Sequence, residues 1–172
     1  TCKEDTILLA NMAFPLPRGP SALALDVDGT ITTADQRLVL LLVEAARELG
    51  AHVAINTARP QLYCNNPDSV TTRLTAPEHH YCGHASMLYN MLFANIPGAK
   101  VANLDLIAEA SGVQRRACVL LVDDRPENIA AACRSGYHGV LVNERTGITR
   151  PVAQDIIATL RRCRDEWDER LL

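Results

Sequence analysis

Apart from Arg161, Arg162 and Arg164, the sequence has no run of basic residues, and its net charge is −3. A nucleic-acid-binding surface needs clustered cations, so nucleic acid is not an expected partner. Nor is there an apolar stretch long enough to span a bilayer. The longest near the N-terminus, residues 7–14, falls well short of the ~20 residues required and follows Lys3, Glu4 and Asp5 rather than a basic leader, so no membrane partner is expected either. The six cysteines include no CxxC pair, and two lie in apolar segments; this scatter predicts reduced thiols and an intracellular, cytoplasmic location. Internal repeats and low-complexity tracts are also missing. What is present is 172 residues, the size of a single domain with a sizeable core, so residues 1–172 are expected to form one unit.

The chain is organised around residues 22–31, Ala-Leu-Ala-Leu-Asp-Val-Asp-Gly-Thr-Ile. Residues 22–25 are an apolar run without Gly or Pro, as expected of a strand buried on both faces of a parallel sheet. Asp26 and Asp28 follow on one side of the strand end, and Gly29 permits a turn where a Cβ would clash. Two carboxylates so placed repel each other unless a cation lies between them.

Beyond this strand, Thr33 and Gln36 fit a capping box for a helix reaching Leu49, with Gly50 positioned to end it. Residues 51–56 read as a second strand, completing a βαβ unit with parallel neighbours. The pattern returns with a helix over residues 100–111, a strand over 117–122 ending in Asp123-Asp124, a helix opening at Pro126 and closed by Gly136, and a strand over 138–142. A last helix spans residues 152–170 and docks through Val152, Ile156, Leu160, Cys163 and Trp167. Between them, residues 60–99 are broken by Pro67, Pro77 and Pro97; a helix over 85–94 and a strand near Tyr81 are expected there. The fold class is therefore α/β, doubly wound, with a mainly parallel sheet covered by helices on both faces.

Ligands of such sheets bind outside the carboxyl ends of the strands. Asp26 with Asp28, Asn56 with Thr57, and Asp123 with Asp124 should all meet at that edge. Four carboxylates together need a cation, and the oxygen-only donor set points to Mg²⁺.

Asp26-Val27-Asp28-Gly29-Thr30, Thr57, Lys100 and Asp123-Asp124 resemble, in order, the four motifs of the haloacid dehalogenase-like (HAD) phosphatase superfamily. The resemblance covers residues 22–142 and implies a Rossmann-like core. It further implies that Asp26 is a nucleophile forming an aspartyl-phosphate, that Asp28 is general acid and then general base, and that Thr57 binds the phosphoryl group. Lys100 would stabilise charge on Asp26 and that group. Asp26, Asp28 and Asp124 would form the Mg²⁺ site, with Asp123 or Asn128 helping through water. Dehalogenase members lack the second acid, so Asp28 favours phosphate chemistry. The 31 positions from Asp26 to Thr57 and the 43 from Thr57 to Lys100 leave no room for a large cap, so residues 60–99 form at most a small insert at the site's edge.

The expected activity is thus Mg²⁺-dependent hydrolysis of a phosphomonoester, small or macromolecular. An open mouth implies either broad, weak activity on small phosphates or a homo-oligomer whose second copy screens it. Transfer of the phosphoryl group to a hydroxyl, as in a phosphotransferase or mutase, is the alternative enzyme class. A phospho-accepting receiver domain is the non-enzymatic one, and motif order separates it, because a receiver carries its acidic pair first and its Lys last. Arg59 and Arg125 flank the expected mouth, where each could grip a substrate anion by bidentate hydrogen bonds or equally serve a structural role. Cys64, His79, His80, Cys82 and His84 offer Zn²⁺ ligands, but at no tight pairwise spacing, so ordinary loop residues are the favoured reading.

Overall fold

The computed structural model describes residues 19–64, 66–83 and 97–170. Five strands, β1 (Ser21–Leu25), β2 (Ala51–Pro60), β3 (His80–Gly83), β4 (Val119–Asp123) and β5 (His138–Leu141), form one sheet in the order β3-β2-β1-β4-β5. Every pairing is parallel. The helices are α1 (Gln36–Glu48), α2 (Gln61–Cys64), α3 (Val70–Leu74), α4 (Pro97–Ser111), α5 (Pro126–Arg134) and α6 (Arg150–Asp168). The fold is α/β and Rossmann-like.

Two cores explain the double winding. Leu23 and Leu25 of β1 pack with Val39, Leu42 and Val43 of α1 and with Ile156 and Leu160 of α6. Ala22 and Ala24, on the opposite side, pack with Leu104 and Ile107 of α4 and Ala132 of α5. Each buried leucine contributes roughly 1.5–3 kcal/mol, and the small alanines let α4 approach the sheet closely.

The expected elements recur with shifted ends. The N-cap of α1 is Asp35, not Thr33: its carboxylate accepts from the Arg37 N–H at 2.8 Å and the Leu38 N–H at 3.3 Å. Gln36 instead donates to the Ile31 carbonyl at 2.9 Å. Asp satisfies two orphan donors at once and so displaces the predicted box. Gly50, at φ +77°, ends the helix region as expected. β2 runs on through Thr57 to Pro60, and α4 starts at Pro97, since proline suits a first helical turn. The strand expected near Tyr81 is β3, at the sheet edge; the helix expected over 85–94 lies outside the described residues. Among the described residues, the insert supplies α2, α3 and β3 and no cap domain.

The reduced-thiol expectation fails. Among the described residues, Cys64 is joined to Cys82 and Cys118 to Cys163, and Cys133 is free. The partners lie 18 and 45 positions apart and are brought together by the packing of α2 against β3 and of α6 against the entry to β4, which spacing alone does not reveal. No helix among the described residues is long and apolar enough to cross a membrane.

His52 of β2 meets His79 edge to face, with ring centroids 4.5 Å apart, and its buried Nε2 has no hydrogen-bond partner among the described residues. Burial, with the His79 charge adding to it, pushes His52 down from 6.5 to about 4. The native state therefore binds fewer protons than the unfolded chain between these values, and its stability falls as pH drops from about 6.5 to about 4. In His52→Gln the melting midpoint should fall less steeply across this window; equal slopes would show that His52 is not the source.

Candidate functional site

Side chains alternate along a strand, and this decides what meets at the carboxyl edge. Ala22 and Ala24 face the α4 side, so the next position on that side is Asp26. By the same alternation Ala54 leads to Asn56 on β2, and Val119 and Leu121 lead to Asp123 on β4. Leu25 is in register with both Ile55 and Val122, which brings Asn56, Asp26 and Asp123 level across three adjacent strands. The first turn of α4 delivers Lys100 over them.

Lys100 is buried. Its Nζ donates to Asp26 Oδ1 at 2.6 Å and to the Asn56 carbonyl, and lies 3.1 Å from Asp123 Oδ2. Asn56 Nδ2 donates to the Lys100 carbonyl at 3.1 Å, and Asn103 Nδ2 to Asn56 Oδ1 at 2.9 Å, so the turn carrying the ammonium is tied to the sheet. Asp123, at 0% exposure, also accepts from the Arg125 N–H at 2.9 Å and from Asn128 Nδ2 at 2.9 and 3.1 Å. Desolvation by burial outweighs the pull of Lys100 and pushes Asp26 up to about 6. Asp124 is raised as well, by burial and then by the charge of Asp123.

Asp26, Asp123 and Asp124 each bring a carboxylate oxygen within 4.8 Å of the others. Three hard oxygen donors without sulfur or imidazole fit Mg²⁺. Gly29 makes room for Asp124: at φ +69°, a Cβ there would run into the Asp124 carboxylate. Asp28 stands apart from this group, its side chain turned outward onto Arg59. Thr57 is buried, with Oγ1 accepting from the Arg59 N–H at 3.3 Å. The register between β2 and β3 shifts between Asn56 and Pro60, as irregularities do where strands re-aim side chains toward a site. A cleft of about 150 Å³ is bordered by Asp26, Asp28, Thr57, Lys100, Asp124, Arg125 and Asn128. Of the expected site residues, Asp26, Thr57, Lys100 and Asp124 border this cleft and Asp123 is buried against Lys100, whereas Asp28, also on the border, is turned away from the other carboxylates onto Arg59.

Two contributors escape a reading of the sequence. Asn103 lies three residues after Lys100 on the same helical face, a spacing that marks it as a neighbour. Tyr63, beneath Arg59, carries no such signal. The Cys/His cluster of the insert does not assemble as zinc ligands: Cys64 and Cys82 are consumed in a disulfide, His79 packs on His52, and His80 Nε2 bonds the Thr75 carbonyl at 3.1 Å. His84 lies outside the described residues.

No protein-family model matches the chain, and no curated protein matches it. Among solved structures it is similar to a crystal structure of an uncharacterized protein from Corynebacterium glutamicum. The two are 19% identical with a TM-score of 0.55, over 83% of this chain and 96% of that one. This likeness establishes the fold alone.

Proposed function

We propose that the protein is a HAD-like, Mg²⁺-dependent phosphomonoester hydrolase working through an aspartyl-phosphate on Asp26. The observation that carries this reading is the placement of Asp26 at the end of the central strand, bonded to Lys100 and grouped with Asp123 and Asp124. Asp26, Asp124 and, through its second oxygen or a water, Asp123 would hold Mg²⁺. Bound there, it offsets the repulsion between the carboxylate and an incoming phosphate.

The chain's own residues supply the rest. Asp26 attacks phosphorus while the bond to the leaving oxygen breaks, and the proton for that oxygen comes from Asp28. The Thr57 hydroxyl and Lys100 ammonium are fixed donors where negative charge spreads over the phosphoryl oxygens. Asp28 then takes a proton from the water that cleaves the acyl-phosphate. Among the described residues, none of α2, α3 or β3 borders the cleft, so its mouth would admit a small or a macromolecular phosphoester, or a second copy of the chain to screen it.

Purified protein should hydrolyse an aryl phosphate with Mg²⁺, lose that activity with chelator, and regain it on adding Mg²⁺ back. Failure across a panel of aryl and alkyl phosphates with Mg²⁺ present would sink the reading. A cytoplasmic location belongs to the same proposal, although the two disulfides count against a reducing compartment. Cell fractionation with thiol alkylation before reduction tests both together.

A further inference from the structure

The carboxylate of Asp28 is already occupied. Arg59 donates from Nε to Asp28 Oδ2 at 2.7 Å and from Nη2 to Oδ1, so one planar guanidinium covers both oxygens. The guanidinium carbon stands 3.8 Å from the centre of the Tyr63 ring, which sets the plane of the fork. A carboxyl group whose two oxygens both accept from Arg59 cannot also hand a proton to a leaving oxygen. The pair also differs from Lys100–Asp26 in its surroundings: its side chains are 26% and 62% exposed, against 6% and 9%. Ion pairs so open to water contribute little, and a competing anion displaces them readily. Arg59 lies beside the position argued to bind phosphate, since its own N–H reaches Thr57 Oγ1.

We infer that Arg59 is a positioning and specificity residue: it holds Asp28 until a carboxylate on the incoming phosphoester replaces that of Asp28 on the guanidinium. The substrate class is then phosphomonoesters carrying a carboxylate close to the ester oxygen, because a planar carboxylate is what the fork already accepts. This rests on the phosphatase reading. When the exchange occurs, the freed Asp28 carboxylate takes up a proton from solvent and turns to the leaving oxygen; Asp26 forms the new bond to phosphorus, the ester P–O bond breaks, and that proton passes to the released alcohol. Substrates without the second anion leave Arg59 on Asp28 and react slowly.

The test compares 2-phosphoglycolate with ethyl phosphate, which has a methyl group in place of the carboxylate, in wild type, Arg59→Lys and Arg59→Ala with Mg²⁺. Wild type should favour 2-phosphoglycolate in kcat/KM by roughly 10–100-fold, the range of a charge-assisted hydrogen-bonding site. Arg59→Ala should lose that preference while its kcat for ethyl phosphate rises above wild type, a gain that a merely structural role would not produce. Arg59→Lys, with its charge but not its fork, should fall between. Calorimetry in an Asp26→Asn background gives a readout free of turnover: adding Arg59→Ala should weaken 2-phosphoglycolate binding about tenfold or more. Hydrolysis of both esters with equal efficiency, or a preference that survives Arg59→Ala, overturns this inference and leaves the phosphatase reading standing. Arg59-dependent binding without hydrolysis of either ester overturns the phosphatase reading but keeps the anion exchange. Absence of both hydrolysis and Arg59-dependent binding overturns the two together.

Discussion

Asp26→Asn is expected to lose aryl phosphate hydrolysis by roughly 10⁴-fold or more, the scale seen when a covalent nucleophile is removed from an otherwise intact site. The fold should survive, because Asn is nearly isosteric and Lys100 keeps Asp123 and the Asn56 carbonyl as partners. Replacing a buried carboxylate raised to about 6 also removes a desolvation cost that grows as pH rises and the group ionises. The variant should therefore melt no lower than wild type at pH 8. Near wild-type turnover, in a preparation shown free of deamidation and of contaminating phosphatase, would end the nucleophile assignment.

Lys100→Met is expected to lower stability by about 3–5 kcal/mol without metal, because it leaves Asp26 and Asp123 buried without their cation. For a chain of this length that is a fall in melting midpoint on the order of 10 °C. Mg²⁺ should restore part of the loss and stabilise the variant more than wild type, since a divalent cation then replaces the missing charge among the carboxylates. Thermal melts with and without Mg²⁺ decide this. A midpoint within about 2 °C of wild type in chelator would mean that the two carboxylates do not depend on Lys100.

The sheet and the site edge were legible because both follow from short-range chemistry. Apolar runs ending in Asp26-Val27-Asp28-Gly29 and Asp123-Asp124, with helices between, force parallel strands whose polar ends share one edge. What stayed hidden depends on packing between distant segments. Cys118 and Cys163 pair because α6 lies against the entry to β4, and nothing local announces it. Similarly, the outward turn of Asp28 is set by Arg59, a neighbour 31 positions away. Even a local feature can mislead: Thr33 and Gln36 have the right spacing for a cap, yet Asp35 accepts two amide protons and prevails.

The position of β1 has a consequence for how the molecule breathes. Its residues are all buried, with parallel neighbours on both sides, and the Asp26 N–H continues the ladder to the Val122 carbonyl at 2.9 Å. Amides so enclosed exchange with solvent only through the largest openings, whereas an edge strand opens through smaller ones. Asp26 is thus anchored to the strand where exchange is expected to be slowest, while Arg59 and Tyr63 belong to the β2–β3 side, where the register already shifts. On the phosphatase reading proposed above, that side would loosen to admit an ester or release an alcohol while Asp26 keeps its place.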